Sequence, residues 1–269
     1  MDIKNLEQIA LNIRKSIINM IYNASSGHPG GALSATEIIT TLYFSEMNIS
    51  NPKDEFRDRL VLSKGHASAV LYGALAEKGF IKKEELSTFR NINSSLQGHP
   101  DMNKTLGVDM TTGSLGQGLS VANGMALAGK LDKKDYRVYC ILGDGELQEG
   151  QVWEAAMSAG HYKLDNLCVF VDNNNFQIDG SIDKIMNPYP IDKKFESFGF
   201  NVICIDGHNF KEIQEALLKA RETKEKPTVI LAKTIKGKGI SYMENTSDWH
   251  GKAPNENEFN LAMKELEKF

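Results

Sequence analysis

Hydrophobic positions along this chain follow a helical period in some segments and form short apolar runs in others. Residues 3–22 place apolar side chains three and four positions apart, which predicts an amphipathic helix. Helical patterns also cover 119–131, 148–161 and 210–223. Short buried strands are predicted near residues 59–63, 137–142, 167–172, 201–205 and 228–233. This alternation is typical of an α/β fold, in which a parallel sheet of about five or more strands carries helices on both faces.

Shorter signals complete the predicted framework. Ser34-Ala35-Thr36-Glu37 predicts a capping box that opens a helix running to about Glu46. Further helices are predicted at 67–78 and 82–90. Residues 91–114 have no clean period and are rich in Asn, Ser, Gly and His. A loop of that length within a compact domain is usually functional.

Composition narrows the classes of protein. The 31 basic and 35 acidic residues give a formal charge of −4, which argues against nucleic acid or an anionic membrane as partner. No run approaches the ~18 apolar residues of a membrane span, and the polar start is unlike a targeting peptide. The three cysteines lie in apolar strand-like runs, which indicates buried reduced thiols. We find no repeat or linker, and therefore expect a single cytoplasmic domain over residues 1–269.

The first chemical motif, Gly143-Asp144-Gly145, follows a predicted strand and leads straight into a helix. Its glycines permit a sharp turn close to a ligand, and its aspartate supplies a hard anionic oxygen. The amides at the start of the helix suit a phosphate group. Alone the motif is a weak signal, because many turns have this composition.

The next strand ends in Asp172-Asn173-Asn174-Asn175. Since neighbouring parallel strands end at the same edge of a sheet, the Asp144 carboxylate and one of these amide oxygens should lie side by side. Such oxygen donors beside a phosphate suit Mg²⁺ or Ca²⁺ better than zinc or copper. The alternative is a polar turn of asparagines. The two motifs together are more specific than either one.

Gly143-Asp144-Gly145 with Asn173-Asn174 resembles the diphosphate-binding motif of thiamine-diphosphate enzymes. Further motifs in the same order along the chain resemble those of transketolase. They are Ser26-Gly27-His28-Pro29-Gly30-Gly31, Ser63-Lys64-Gly65-His66-Ala67, Gly98-His99-Pro100, Thr112-Gly113-Ser114-Leu115-Gly116-Gln117-Gly118 and Gly145-Glu146-Leu147-Gln148-Glu149-Gly150. The resemblance runs from about residue 10 to about residue 255. It implies the thiamine-diphosphate-binding fold and the N-terminal, diphosphate-binding portion of a transketolase.

This resemblance implies a metal and diphosphate site. The side chains of Asp144 and Asn174 and the backbone carbonyl of Phe176 would bind Mg²⁺, with Ca²⁺ as a possible substitute. The backbone of Gly145 would pack against the diphosphate of thiamine diphosphate.

Four histidines are the catalytic candidates that the resemblance implies. His66 and His250 would lie along the diphosphate, where an imidazole N–H can donate to an anionic oxygen. His28 and His99 would face the sugar end of the pocket, positioning hydroxyls and moving protons. Without this context, a histidine is more often a surface or satisfied core residue.

Other implied contacts lie at the aminopyrimidine ring and at a second chain. Gly113, Ser114 and Leu115 would contact the ring, although Ser114 stands where many full-length transketolases have proline. Glu149 resembles the glutamate that links the two cofactor sites of a dimer, or it could simply oppose the dipole of its helix. Lys236 and Lys238 could contact phosphate, but we interpret them as part of a solvated basic loop.

The resemblance stops before the pyrimidine-binding domain of the family, which carries the glutamate that activates the cofactor. We therefore expect a split transketolase, in which a separate C-terminal subunit supplies the pyrimidine-binding and C-terminal domains and the complex is a heterotetramer. Its substrates would be sugar phosphates, with a two-carbon ketol unit moving from a ketose phosphate to an aldose phosphate. The small-residue helix at 118–129 is a candidate interface, unless it packs internally.

Three alternatives remain open at this stage. One is another thiamine-diphosphate enzyme, either an α-type subunit of a 2-oxo acid dehydrogenase or a deoxyxylulose-phosphate synthase fragment. A second is a non-catalytic scaffold subunit that binds the cofactor. A third is a metal-dependent phosphate-binding protein without thiamine. The sequence does not specify the donor and acceptor sugars, so the pentose phosphate pathway and a specialised branch of carbohydrate metabolism are equally compatible with it.

Overall fold

The computed structural model describes residues 1–268 and is organised around a parallel sheet. The strands are β1 (Arg59–Leu62), β2 (Val138–Gly143), β3 (Leu167–Asn173), β4 (Phe176–Gln177), β5 (Gly180–Ser181), β6 (Asn201–Asp206) and β7 (Thr228–Lys233). Within the described residues, five of them form one sheet in the order β1-β2-β3-β7-β6, with every neighbouring pair parallel. β4 and β5 form a separate antiparallel hairpin. The predicted parallel sheet is confirmed.

Helices connect the strands and cover the sheet. The α-helices are α1 (Ile3–Asn23), α2 (Pro29–Ser34), α3 (Thr36–Thr41), α4 (Ser68–Glu77), α5 (Gln117–Leu131), α6 (Gly150–His161), α7 (Ile182–Ile185), α8 (Ile191–Ser197), α9 (Phe210–Glu222) and α10 (Glu256–Leu266). Shorter 3₁₀ turns occur at Gly65–Ala67, Lys83–Thr88 and Gly145–Gln148, and a π turn at Leu42–Glu46. None of the helices within residues 1–268 is long and apolar enough to span a membrane.

Local sequence explains where the two terminal helices begin. The Asp2 side chain accepts a hydrogen bond from the backbone N–H of Asn5, at 2.9 Å, and caps α1. At α10, the Asn255 side chain accepts from the N–H of Glu258, whose carboxylate accepts in return from the N–H of Asn255. This is a reciprocal capping box. The predicted helix at residues 3–22 is therefore confirmed.

The capping box predicted at 34–37 is wrong. The Ser34 hydroxyl donates to the carboxylate of Asp172 at 2.6 Å, and Glu37 pairs with Arg14. The helical segment begins earlier, at Pro29, a residue that suits the first position of a helix because it has no N–H to satisfy. Partners distant in the sequence occupy both side chains, and a local motif cannot reveal such partners.

Side chains of each central strand alternate between two hydrophobic cores. Tyr139 and Ile141 of β2 pack with α1, α3 and α4 on one face of the sheet. Cys140 and Leu142 pack with α5, α6 and α8 on the other face. Helices therefore lie on both faces, as the sequence predicts.

The three cysteines are free thiols, but they differ in exposure. Cys140 and Cys168 are buried in central strands, as predicted. Cys204 is exposed, so the prediction that it is buried is wrong. The reason is that β6 lies at an edge of the sheet, and strand order cannot be derived from the apolar pattern of the strand itself.

Candidate functional site

A cavity of about 440 Å³ opens beyond the carboxyl ends of β1, β2 and β3. Many of the residues that the sequence predicts for a cofactor site line it. They are His66, Gly113, Leu115, Asp144, Gly145, Glu149, Asn174, Phe176 and His250. The other predicted site residues, which are His28, His99 and Ser114, are not among the residues that line this cavity. The cavity lies where ligands usually bind in parallel sheets.

Strand register brings the two predicted metal-binding side chains to the same edge. Gly143 of β2 pairs with Asp172 of β3, so the residues that follow each strand emerge together. Asp144 is 1% exposed and Asn174 is 5% exposed, and both line the cavity. Both residues therefore border one cavity at the same edge of the sheet.

Asp144 is a buried carboxylate with a strongly shifted affinity for protons. Its oxygens accept hydrogen bonds from the backbone N–H groups of Gly145 and Asn175. Burial and the nearby Asp172 carboxylate nevertheless raise the pKa of Asp144 to about 7. The fold thus concentrates negative charge at this end of the cavity, where a bound cation would relieve it.

Asp172 has a structural environment of its own. Lys64 and the Thr234 hydroxyl donate to its carboxylate, in addition to the Ser34 hydroxyl. Burial alone would raise the pKa of Asp172, but the Lys64 ammonium and these hydrogen bonds outweigh burial and hold the pKa below its usual value. Because its oxygens already have these partners, Asp172 secures the loops, and Asp144 is the member of this carboxylate pair that lines the cavity.

The wall of the same cavity also carries nitrogen donors. Lys236 is 1% exposed, and its ammonium nitrogen lies 3.1 Å from Nδ1 of His250. Burial and the Lys64 ammonium lower the pKa of Lys236 to about 8. The interpretation of Lys236 as part of a solvated loop is wrong, because the N–H of Gly237 bonds to the carbonyl of Gly30 and folds the loop inward. Oxygen groups and N–H donors in the wall of one cavity suit a metal ion paired with a phosphate.

Three of the four predicted histidines form one cluster. The ring centroids of His28, His66 and His250 lie 5.2–5.4 Å apart in pairs. Burial is the main cause that lowers the pKa of each, to about 4 for His28 and about 3 for His250. All three rings are therefore neutral at pH 7, with one donor and one acceptor nitrogen each. His99 lies against Gly113, where a Cβ atom would come within 3.2 Å of its ring.

Within residues 1–268, no group of three His, Cys, Asp or Glu side chains is arranged to hold a metal ion. The predicted donor set is of a different kind. It combines one carboxylate, from Asp144, with the amide oxygen of Asn174 and the carbonyl of Phe176. Magnesium commonly binds one or two carboxylates and completes its coordination with waters and substrate phosphates. The residues present fit such a metal–phosphate pair.

Comparison with known families decides the relationship. The family model "Transketolase, thiamine diphosphate binding domain" matches residues 6–267. The chain belongs to the transketolase family.

Relatives of two lengths support this membership. The 6-deoxy-6-sulfo-D-fructose transketolase subunit SqwG of Clostridium sp. (strain MSTE9) is 47% identical over 98% of this chain and 97% of its own. An apulose-4-phosphate transketolase subunit of Phocaeicola vulgatus is 39% identical over 99% and 95%. Human transketolase is 46% identical, but over 92% of this chain and only 40% of its own.

The structure agrees with these relationships. The crystal structure of transketolase from Campylobacter jejuni matches with a TM-score of 0.93 at 37% identity, over 99% of this chain and 43% of that one. The chain thus spans about two-fifths of full-length transketolases and nearly all of the relatives named as subunits. The predicted fold, the predicted thiamine-diphosphate-binding domain and the predicted match to the N-terminal portion of transketolase are confirmed.

Glu146 is a buried residue of this transketolase domain that the sequence analysis missed. One carboxylate oxygen accepts from the Ser63 hydroxyl and from the N–H of Gly116 at 2.9 Å. The other accepts from the N–H of Gly143 at 3.0 Å. Burial raises the pKa of Glu146. In sequence it looked like an ordinary acidic residue in the first turn of a helix, although it joins three loops around the cavity.

A larger groove, of about 820 Å³, lies beyond the ends of β3, β6 and β7. The predicted site residues lie elsewhere. His208 borders this groove with both nitrogens engaged, since Nδ1 lies 2.9 Å from the Glu37 carboxylate and Nε2 accepts from the N–H of Ile235 at 2.8 Å. Both contacts tie loops together, so volume alone does not identify the functional site.

Proposed function

We propose that this chain is the cofactor-diphosphate subunit of a two-chain transketolase. With a partner that carries the pyrimidine-binding domain, it would transfer a two-carbon ketol unit from a ketose phosphate to an aldose acceptor. The observation that carries the proposal is the cavity at the strand ends, whose wall combines buried oxygen donors with buried nitrogen donors. Relatives named as transketolase subunits match the chain along nearly their whole length.

The oxygen donors of the cavity wall would hold Mg²⁺, or Ca²⁺ in its place. Asp144 and Asn174 would bind through side-chain oxygens and Phe176 through its carbonyl, and the diphosphate would complete the coordination. The raised pKa of Asp144 supports this assignment, because burial and the Asp172 carboxylate disfavour its charged form, which a bound metal ion would stabilise.

The nitrogen donors of the cavity wall would hold the diphosphate. Lys236 would supply positive charge, while the neutral His66 and His250 would each donate one N–H to anionic oxygen. The backbone of Gly145 would lie against the same group, as a residue without a side chain allows. The cation-binding and anion-binding groups of this cavity would together hold one metal–diphosphate unit.

The rest of the cavity wall would serve the ring of the cofactor and the partner chain. Gly113, Ser114 and Leu115 would contact the aminopyrimidine. Glu149 lines the cavity but is exposed, as a contact with another chain requires. The complex would be a heterotetramer. In α5 the small residues Gly118, Ala122, Ala126 and Gly129 are already buried within this chain, so an interface there would use the remaining, exposed side of the helix.

His28 and His99 would face the substrate. Bound thiamine diphosphate supplies a carbon nucleophile for the ketose carbonyl. The neutral imidazole of His28 could donate a hydrogen bond to a sugar hydroxyl. The backbone at Gly113 packs against His99 and would keep that ring at the cavity mouth. We place this chemistry in a single domain of residues 1–269 in the cytoplasm, consistent with its three free thiols.

Reconstitution tests the proposal. The chain is mixed with its pyrimidine-domain partner, thiamine diphosphate and Mg²⁺, and ketol transfer is measured with phosphorylated and sulfonated ketose donors. We expect transfer from the mixture and none from either chain alone. Asp144→Ala should abolish activity and cofactor retention, whereas Asp183→Ala, on an exposed position of α7, should not. Transfer by the isolated chain, or normal cofactor retention by Asp144→Ala, would contradict the assignment.

A further inference from the structure

Arg90 lies beside His28 in a constrained loop after the 3₁₀ turn at Lys83–Thr88. Its φ is +62°, in the left-handed region that side chains other than Asn and Asp seldom adopt. Its backbone N–H donates to the carbonyl of Leu96 at 2.8 Å, which closes the loop. Gly98 makes room for the guanidinium, since a Cβ atom there would lie 2.8 Å from Cζ of Arg90. Strain and close packing together hold this side chain in place.

The guanidinium joins two residues of the first transketolase motif. One terminal nitrogen donates to the Ser26 hydroxyl at 3.0 Å, and the other lies 3.4 Å from Nδ1 of His28. Nε of Arg90 is buried, and among the described residues no hydrogen-bond partner reaches it. This arrangement places a half-buried, permanent cation against a catalytic candidate.

The chemistry of arginine then fixes the state of the imidazole. A guanidinium has only donors and remains protonated in proteins. Nδ1 of His28 must therefore be the acceptor, and the ring proton must be on Nε2. Nε2 of His28 lies 3.7 Å from a Cβ atom built on Gly251, so this side of the ring faces Gly251. The rings of His66 and His250 lie next to it.

We propose that Arg90 is a positioning residue that holds His28 in its Nε2–H tautomer, so that an N–H donor points into the histidine cluster. That this donor meets a sugar hydroxyl rests on the proposed function. Burial and the Arg90 charge also lower the pKa of His28 to about 4, so the ring stays neutral at pH 7 and its tautomer is defined.

The chain contains its own reference rings. His208 receives an N–H at Nε2 and faces the Glu37 carboxylate with Nδ1, so it should hold the opposite tautomer. His161 is exposed at the end of α6 and reports an unconstrained ring. Arg90 touches neither ring in the structure, so substitutions of Arg90 should leave both signals unchanged.

Nitrogen NMR of the full chain labelled in its histidines provides the test. Long-range proton–nitrogen correlations at neutral pH distinguish protonated from unprotonated ring nitrogens, and His28→Gln identifies the His28 signals. We expect Nε2–H for His28 and Nδ1–H for His208. In Arg90→Met the His28 nitrogen shifts should move toward those of His161, and Arg90→Lys, which retains a donor, should restore them. A His28 ring protonated on Nδ1, or one unchanged in Arg90→Met, would overturn the proposal.

Kinetics of the two-chain enzyme add a readout that a purely structural residue would not give. In Arg90→Met, kcat/KM for the ketose donor should fall about 10- to 100-fold, as expected for a misplaced substrate contact, and Arg90→Lys should recover most of it. Affinity for thiamine diphosphate should stay constant. If the wild-type two-chain enzyme turns over no ketose donor, the proposed function fails, while the NMR result still decides the role of Arg90. If Arg90→Met does not fold, the wild-type and Arg90→Lys spectra decide it.

Discussion

Replacing Glu146 with glutamine tests whether one buried carboxylate holds together the loops that form the cavity. Glu146 is 2% exposed and accepts hydrogen bonds from Ser63, Gly116 and Gly143. Glutamine has nearly the same shape, but its amide nitrogen is a donor and would face at least one of these three donors. Hydrogen bonds to charged groups contribute about 1.5–3 kcal/mol each, and an unsatisfied buried donor costs about 1–3 kcal/mol. Removing the buried charge offsets part of this loss, so we expect the free energy of unfolding to fall by about 2–4 kcal/mol.

Thermal and denaturant unfolding of the isolated chain measure this effect. For a domain of this size, a loss of 1 kcal/mol lowers Tm by roughly 2–4 °C, so Glu146→Gln should lower Tm by about 5–15 °C. Cofactor affinity in the two-chain enzyme should also weaken, because Gly143 borders the cavity. Glu154→Gln, at an exposed position of α6, is the matched control and should leave Tm unchanged. A Glu146→Gln chain as stable as the control would refute this account of the loops.

Three further predictions concern pH, a buried ion pair and thiol exposure. The pKa of His250 is about 3 in the folded chain but near 6.5 when the chain is unfolded, so its contribution to stability is complete above pH 6.5 and is lost as pH falls toward 3. In denaturant titrations, His250→Gln should remove about 1–2 kcal/mol of the decrease in unfolding free energy at pH 5. An unaltered pH dependence would count against this prediction. Lys64→Met leaves the Asp172 carboxylate buried without its cation and should lower the free energy of unfolding by about 3–5 kcal/mol. The double variant Lys64→Met/Asp172→Asn should restore part of this stability. Additive losses from the two substitutions would argue against the Lys64–Asp172 ion pair. In the native chain an aromatic disulfide reagent should modify Cys204 and not Cys140, as mass spectrometry of the labelled peptides would show, and equal labelling would be inconsistent with the fold.

Features encoded in contiguous sequence were predictable. The apolar runs gave the strands of the sheet, because buried parallel strands are short and apolar throughout. The positions of Asp144 and Asn174 followed from this, since each comes directly after a strand and parallel strands end at one edge. The resemblance to transketolase then supplied roles that spacing alone does not define.

Features that depend on distant partners were not predictable. Lys236 looked solvated because only its basic neighbours are visible in sequence, whereas its burial results from the loop that folds onto Gly30. Glu146 and Arg90 were assigned no role for the same reason. The hairpin at 176–181 and the helices that follow it were missed because the segment has neither a helical period nor a strand-like apolar run.

Anomalous diffraction from crystals of the two-chain complex grown with thiamine diphosphate and Mn²⁺ tests the central claim most directly. Manganese accepts the same oxygen ligands as magnesium. The account predicts one peak per cofactor, coordinated by the Asp144 carboxylate, the Asn174 amide oxygen, the Phe176 carbonyl and the diphosphate. A metal bound elsewhere, or a diphosphate seated in the cavity with Asp144 turned away from any metal, would contradict it.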